Sequence, residues 1–344
     1  RTAFVTFFPI KPDNMGSSAV VNSRFTNWPT KKKLFQISHI KKLNNKNIET
    51  IFIKKETPLR KIFSLPKITF KIFKYLKKSE KKNIVLEGAS WIFYSFFIIF
   101  FLKIFLPQAN IIYISHGIES EIRRKYSNLF IFIITKMMEK LVFRYSNITT
   151  SVSKRDKKKI KKLYNTETKI LPNAISLKKT KIIKQIKEDY IIYTGSYLYK
   201  PNKDSIDLLN YYIMPELIKI LPKLKLVLTG GGFKKKFPWL INKKIVPKNS
   251  LYNLIFFSKC MCVPLMFGYG TRIKIIEALS LGAIVISTKK GIEGIKIHSK
   301  NPPFIVSNKK LFVKKIVEII KNNKKIKKKS IIEKKFYLEN YSME

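Results

Sequence analysis

Residues 262–294 read CVPLMFGYGTRIKIIEALSLGAIVISTKKGIEG, and the order of elements in this stretch decides the fold. Lys259 to Pro264 is short, apolar and strand-like. A glycine-bearing turn follows at Gly268-Tyr269-Gly270. Ile273, Ile276 and Leu279/Ser280 then recur at helical spacing, and the pattern closes at Gly282. Ala283 to Ser287 is a second strand of the buried type, ended by a turn at Gly291. A strand, a glycine turn opening a helix and a second strand form the unit in which α/β sheets bind anions.

The charges of the helix allow two readings. Arg272 and Lys274 stand in its first turn, where the helix dipole disfavours cations by a few tenths to about 1 kcal/mol. An anion in front of the turn would reverse that cost. Glu277 lies three residues after Lys274, so the same residues also fit an exposed ion pair worth at most about 0.5 kcal/mol.

Outward from this unit, similar pieces recur. DYIIYTGSYLYKPNKDSIDLL begins at Asp189 as a strand, turns at Gly195-Ser196 and enters a helix at Lys200-Pro201-Asn202. LKLVLTGGG at 224–232 is a strand followed by a glycine turn. Glycines at 195, 230–232 and 268/270, each after a strand, are expected to converge on the carboxyl edge of one parallel sheet.

GYGTRIKIIEALSLGAIVIST (268–288) resembles the donor-site signature of family 4 glycosyltransferases of the GT-B fold. The resemblance implies an α/β chain of two Rossmann-like domains facing each other across a cleft. It implies an acceptor-side domain at 1–178, a nucleotide-sugar domain at 179–330, and a last helix at 331–344 returning to the first domain. Arg272 and Lys274 would contact the donor diphosphate and Glu277 the ribose hydroxyls, with Gly268, Gly270 and Thr271 in the donor loop. Gly195, Ser196, Lys200 and Gly230 would lie near the donor phosphates. Tyr269 stands where many members carry an earlier Glu, as in a subgroup reading G-x-G-[TS]-R-x-K. ILPNAI at 170–175 is similar to the family's PNG hinge, with Ala174 for Gly, and puts the boundary near 176–188.

The first half resembles the family more weakly. Ala3 to Phe8 reads as the first parallel strand. Gly16 and Ser17 in the following loop would help place acceptor or donor; an ordinary βα turn reads the same way. Leu34–Ile37, Thr50–Ile53, Asn83–Glu87, Ile111–Ile114 and Ile148–Val152 fit further strands. Residues 59–82 form a basic helical pattern interrupted by Pro66. Trp91–Leu106 is the most apolar stretch and too short to span a bilayer; it is expected to be a buried crossover helix, the other reading being a helix that touches lipid. His116-Gly117-Ile118-Glu119 is similar to the family's HN-x-E segment, so His116 would approach the sugar and Glu119 would stand on the acceptor side. A purely structural hydrogen bond is the other reading of His116. Ser153 and Asp156 predict a capped helix start.

Composition bounds the remaining classes. The 344 residues suit two α/β domains, and 45% hydrophobic content excludes a disordered chain. The formal charge is +49, distributed as +26 over 1–178 and +23 over 179–344, so no dedicated nucleic-acid arm is expected. Such a surface suits anionic membranes, phosphorylated substrates or, less specifically, RNA, for which no aromatic and basic signature is present; Lys-rich faces fall at 71–82 and 154–162. Cys260 and Cys262 fit a reduced core, and two sulfurs are too few for a disulfide framework or zinc site.

The resemblance therefore implies a glycosyltransferase, retaining and metal-independent, with no cofactor beyond a UDP- or GDP-sugar donor. Its acceptor would be a glycan or lipid-linked molecule in surface polysaccharide or lipopolysaccharide synthesis. The implied place is the cytoplasm, peripheral on the inner face of the membrane. Rival readings are a non-catalytic basic binding module on the same fold and a nucleotide-sugar epimerase.

Overall fold

The computed structural model describes residues 1–11, 16–40, 45–175, 177, 183, 186–268, 270–298 and 303–342. The chain divides into two compact units, Arg1–Asn173 and Ala174–Glu344. The ILPNAI stretch straddles this division, and most of the linker expected at 176–188 lies outside the described residues.

In the first unit, β1 (Thr2–Thr6), β2 (Lys32–Ser38), β3 (Ile48–Phe52), β4 (Asn83–Glu87), β5 (Asn110–Ile114), β6 (Ile148–Ser151) and β7 (Lys169–Ile170) form one parallel sheet. Their order is β3-β2-β1-β4-β5-β6-β7. Every residue of β1 is buried, as expected for a central parallel strand covered on both faces. Alternate strand residues point to opposite layers. Phe4, Leu34 and Val85 meet α1 (Gly16–Asn27), while Val5, Ile37, Leu86 and Ile111 meet the other layer. That layer contains α2 (Pro58–Leu76), α3 (Ile92–Phe105), α5 (Leu129–Tyr145) and α6 (Lys154–Tyr164); the short α4 (Glu119–Tyr126) precedes α5.

Three local expectations meet physical detail here. The helix over 58–76 is not broken at Pro66, which sits on its exposed side. Leu65, Ile68, Ile72 and Leu76 are fully buried, each worth about 1.5–3 kcal/mol, which outweighs the roughly 3 kcal/mol cost of an internal proline. α3 is buried along one side only. No helix among the described residues is long and apolar enough to cross a membrane. At the start of α6, Ser153 accepts a hydrogen bond from the Asp156 amide at 3.1 Å, the expected cap.

The second unit repeats the pattern with β8 (Tyr190–Thr194), β9 (Lys225–Thr229), β10 (Leu240–Asn242), β11 (Met261–Val263), β12 (Val285–Ser287) and β13 (Phe304–Ile305). The parallel order is β10-β9-β8-β11-β12-β13. The helices are α7 (Lys200–Leu208), joined by a π-helical turn to α8 (Met214–Ile220), then α9 (Lys248–Phe257), α10 (Ile273–Ser280), α11 (Lys309–Lys321) and α12 (Asn323–Tyr341). Cys260 and Cys262 are free thiols with no exposed surface, in the core as expected.

The segment from residue 331, expected to return to the first domain, is the second half of α12. α12 packs on α10, with Ile331 against Gly282. Gly282 has φ +71, and an added Cβ would lie 3.1 Å from the Ile331 Cα. Tyr337 is buried, and the Tyr341 carbonyl accepts from the Ile175 amide at 2.7 Å.

Candidate functional site

Each sheet places its loops by topology. In the second unit the chain steps from β8 outward through β9 to β10, then crosses back to β11 on the other side of β8. The switch point lies between β8 and β11, where open α/β sheets leave a crevice at the strands' carboxyl ends. Gly195 follows β8, Gly230 follows the neighbouring β9, and the 264–272 loop follows β11.

The glycines are there because the backbones and cations come close. Gly195 has φ +142, and an added Cβ would lie 2.7 Å from Asn202 Nδ2 and 2.8 Å from Lys274 Nζ. At Gly230, with φ +114, a Cβ would lie 2.4 Å from the Gly195 carbonyl oxygen. Two expected donor turns and Lys274 thus meet at one point, with Asn202 beside them.

Lys274 is held in an unusual environment for an ammonium. It donates to Asn202 Oδ1 at 2.9 Å and to the Tyr193 hydroxyl at 3.1 Å, and it lies 4.2 Å from the Tyr193 ring centre. Tyr193 itself donates to Asn202 Oδ1 at 2.8 Å. Burial lowers the Lys274 pKa to about 7; the Arg272 charge pushes the same way and Glu277 opposes it. The site is therefore short of negative charge. A diphosphate would supply it.

Arg272 is the N-cap of α10 and is 9% exposed. Its guanidinium donates to the Gly270 carbonyl and folds back under Gly268, where an added Cβ would lie 2.9 Å from Nη2. Thr271 is buried beside it, and Tyr269 lies outside the described residues. One turn on, Glu277 is 8% exposed and accepts from the Tyr252 hydroxyl at 3.3 Å, with Lys248 at 3.9 Å. The surface ion-pair reading fails on burial: Glu277 is not on an exposed face. Lys200 is 65% exposed and its ammonium lies 2.8 Å from Asp204, an i,i+4 surface pair. Ser196 contributes its carbonyl to Asn202 Nδ2 at 3.0 Å.

The first unit has its own switch point, between β1 and β4. The loop after β1 leads into α1 at Gly16. Ser18, rather than Ser17, ties that start down by donating to the Pro9 carbonyl at 2.8 Å; residues 12–15 lie outside the described ones. At the end of β4 stands Glu87, with no exposed surface. Arg24 Nη1 reaches both its oxygens at 2.7 Å, and His116 Nε2 is 2.8 Å from Oε2. Burial raises the Glu87 pKa, but the Arg24 charge and the His116 hydrogen bond outweigh it and hold the carboxyl below its ordinary value. His116 is 12% exposed, so its ring is oriented by a fixed carboxylate while an edge stays open.

Glu119 is engaged inside the same unit. It accepts from the Ile92 amide at 2.6 Å and pairs with Arg123 at 2.8 Å, and burial raises its pKa. Glu139 accepts from the amides of Glu119 at 2.7 Å and Ser120 at 3.2 Å, a carboxylate at a helix N-terminus. Among the described residues no group of three or more His, Cys, Asp or Glu is placed to hold a metal ion.

Comparison with known proteins gives a family match within the second unit and a fold for the whole. Residues 188–322 match the family described as glycosyl transferases group 1, which covers β8 through α11 and leaves the first unit outside. No curated protein sequence matches the chain. Sucrose-phosphate synthase from Thermosynechococcus elongatus superposes with a TM-score of 0.70 at 12% identity, over 99% of this chain and 94% of that one. HepE from Anabaena, solved with UDP-glucose, gives 0.71 at 11% identity over 99% and 95%. WaaG, a glycosyltransferase involved in lipopolysaccharide biosynthesis, gives 0.65 at 13% over 98% and 95%. The chain thus has the GT-B fold of two Rossmann-like domains.

Proposed function

We propose that this protein transfers a sugar from a nucleotide-sugar donor to a glycan or lipid-linked acceptor, with retention of configuration and without a metal or further cofactor. The observation that carries the reading is Lys274: a desolvated cation aimed at two glycine turns on the switch point of the family-matched unit. Charge on the diphosphate grows as the glycosyl bond breaks, so Lys274 and Arg272 would act most strongly in the transition state. Glu277 would accept the ribose hydroxyls, and the turns at Gly195, Gly230, Gly268 and Gly270 would let backbone amides approach the phosphates. His116, oriented by Glu87, would serve the sugar side. We assign the protein to surface polysaccharide or lipopolysaccharide synthesis, in the cytoplasm at the inner face of the membrane where a lipid-linked acceptor is held.

Incubation with UDP- and GDP-sugars, with and without a membrane lipid extract as acceptor source, tests the reading. Release of nucleoside diphosphate that depends on the extract is the expected result. Release of free UDP with no such dependence identifies an epimerase; no release from any donor identifies a binding module.

Glu277→Ala is expected to weaken donor binding by about 1–3 kcal/mol, the cost of unpaired hydroxyls, while the fold persists. Isothermal titration with the nucleoside diphosphate reads this directly. Unchanged affinity in a stable variant returns Glu277 to a structural partner of Tyr252.

A further inference from the structure

The outer surface of the α2–α3–α5 layer is unlike a water-facing helical layer. α3 packs between α2 and α5, and all three fill the core with their inner sides. On the outer sides Phe63 is 80% exposed, Phe130 70%, Phe70 64%, Met137 61% and Ile104 58%. The rings continue from one helix to the next. Phe100, Phe101 and Phe105 follow one another along α3 at 5.3 and 6.4 Å, and Phe105 reaches Phe73 of α2 at 6.1 Å. Apolar patches of this extent mark interaction sites.

The charges select the partner. The three helices carry nine Lys and Arg residues and a single acid, Glu139, which is buried and committed to the amides of α4. Phe63, Lys67, Phe70 and Lys74 recur at three- and four-residue spacing, so phenylalanines and lysines alternate along one exposed stripe of α2. Lys136 and Lys140 stand likewise around Met137 on α5. A second copy of the chain would set the same cations against themselves, in a protein already at +49. An anionic bilayer offers both counterparts: headgroup charge for the lysines and an acyl boundary a few ångströms below for the rings.

We propose that the α2–α3–α5 face of the first unit docks on the surface of an anionic lipid bilayer. With no described helix able to span, the layer lies on the membrane, its aromatic stripes in the interface and its lysines among the headgroups. This deepens the membrane placement proposed above and rests on it for the presence of a membrane. It does not depend on the chemistry of the second unit.

Co-sedimentation with vesicles of phosphatidylcholine, alone or mixed with phosphatidylglycerol, tests it on the full chain. Binding to the mixed vesicles is expected, lowered roughly tenfold or more by Phe63→Ser/Phe70→Ser/Phe130→Ser and similarly by Lys67→Glu/Lys74→Glu. A Phe130→Trp variant, otherwise unaltered, should be quenched by brominated lipid in the mixed vesicles. That readout decides the matter should the triple variant misfold. If the wild-type chain binds neither vesicle, the membrane placement fails together with the surface. If it binds and all variants bind equally, with no quenching at position 130, the placement stands and this surface is overturned. A dimer in light scattering without lipid, lost in the serine variant, would make the face a contact between copies and overturn the proposal.

Discussion

Lys274→Met lowers the transfer rate by about 10²–10³, the loss that follows removal of one preorganised charge donor from a reacting site. The fold should tolerate the change. Tyr193 and Asn202 keep their mutual hydrogen bond at 2.8 Å, and a methionine stem still covers the Tyr193 ring. Relieving a buried ammonium also removes a cost to the free protein. Its pKa of about 7 means that folding disfavours the charge relative to an unfolded lysine, so stability contributed by this site rises with pH between 7 and the ordinary lysine value. The donor works in the opposite direction. A bound diphosphate favours the protonated amine, so affinity should be greatest below pH 7 and fall as pH rises through it. Donor titrations across pH 6–9 should show that fall in the wild-type protein and its absence in Lys274→Met. A variant that turns over normally would remove Lys274 from the site.

Arg24→Met destabilises the first unit by about 3–5 kcal/mol, because it leaves Glu87 charged or protonated in a core with no exposed surface. His116 remains as one partner and limits the loss without cancelling it. Arg24→Met/Glu87→Met should recover most of the stability, since a buried pair exchanged for apolar groups of similar volume is often near neutral. Turnover should not recover with it, as His116 then lacks the carboxylate that orients its ring. Denaturant titration of the first unit's transition, with kcat measured alongside, separates the two effects. A single variant that costs under about 1 kcal/mol would show that Arg24 and Glu87 are not mutually dependent.

The cluster at the second unit's switch point was legible because its residues are local in sequence. A glycine turn, two cations and a carboxylate fall within ten residues, 268–277, and a helix N-terminus gives each a geometric meaning. Lys200, also within one of the quoted stretches, has a partner four residues on in Asp204, at 2.8 Å. Tyr193 could not be singled out, since a strand tyrosine carries no signal until Lys274 is seen beside it, and Asn202 was read only as part of the Lys200-Pro201-Asn202 helix start. Arg24 and Glu87 are 63 residues apart and read as an ordinary helix arginine and a strand-end glutamate. Only the β1–β4 pairing brings them together. The exposed rings of α3 were obscured for the opposite reason: a run as apolar as 92–105 has no polar side from which to tell the outer face.

Ile175 and Ser342 form a bridge, and the Ile175 amide is held by Tyr341. The two ends of the second unit's described backbone therefore lie side by side. The six strands of its described residues all fall between those two points, so opening the chain at another loop and sealing it here would conserve every strand pairing among them. The linear order in which its elements are encoded is then only one of several that would specify the same packing.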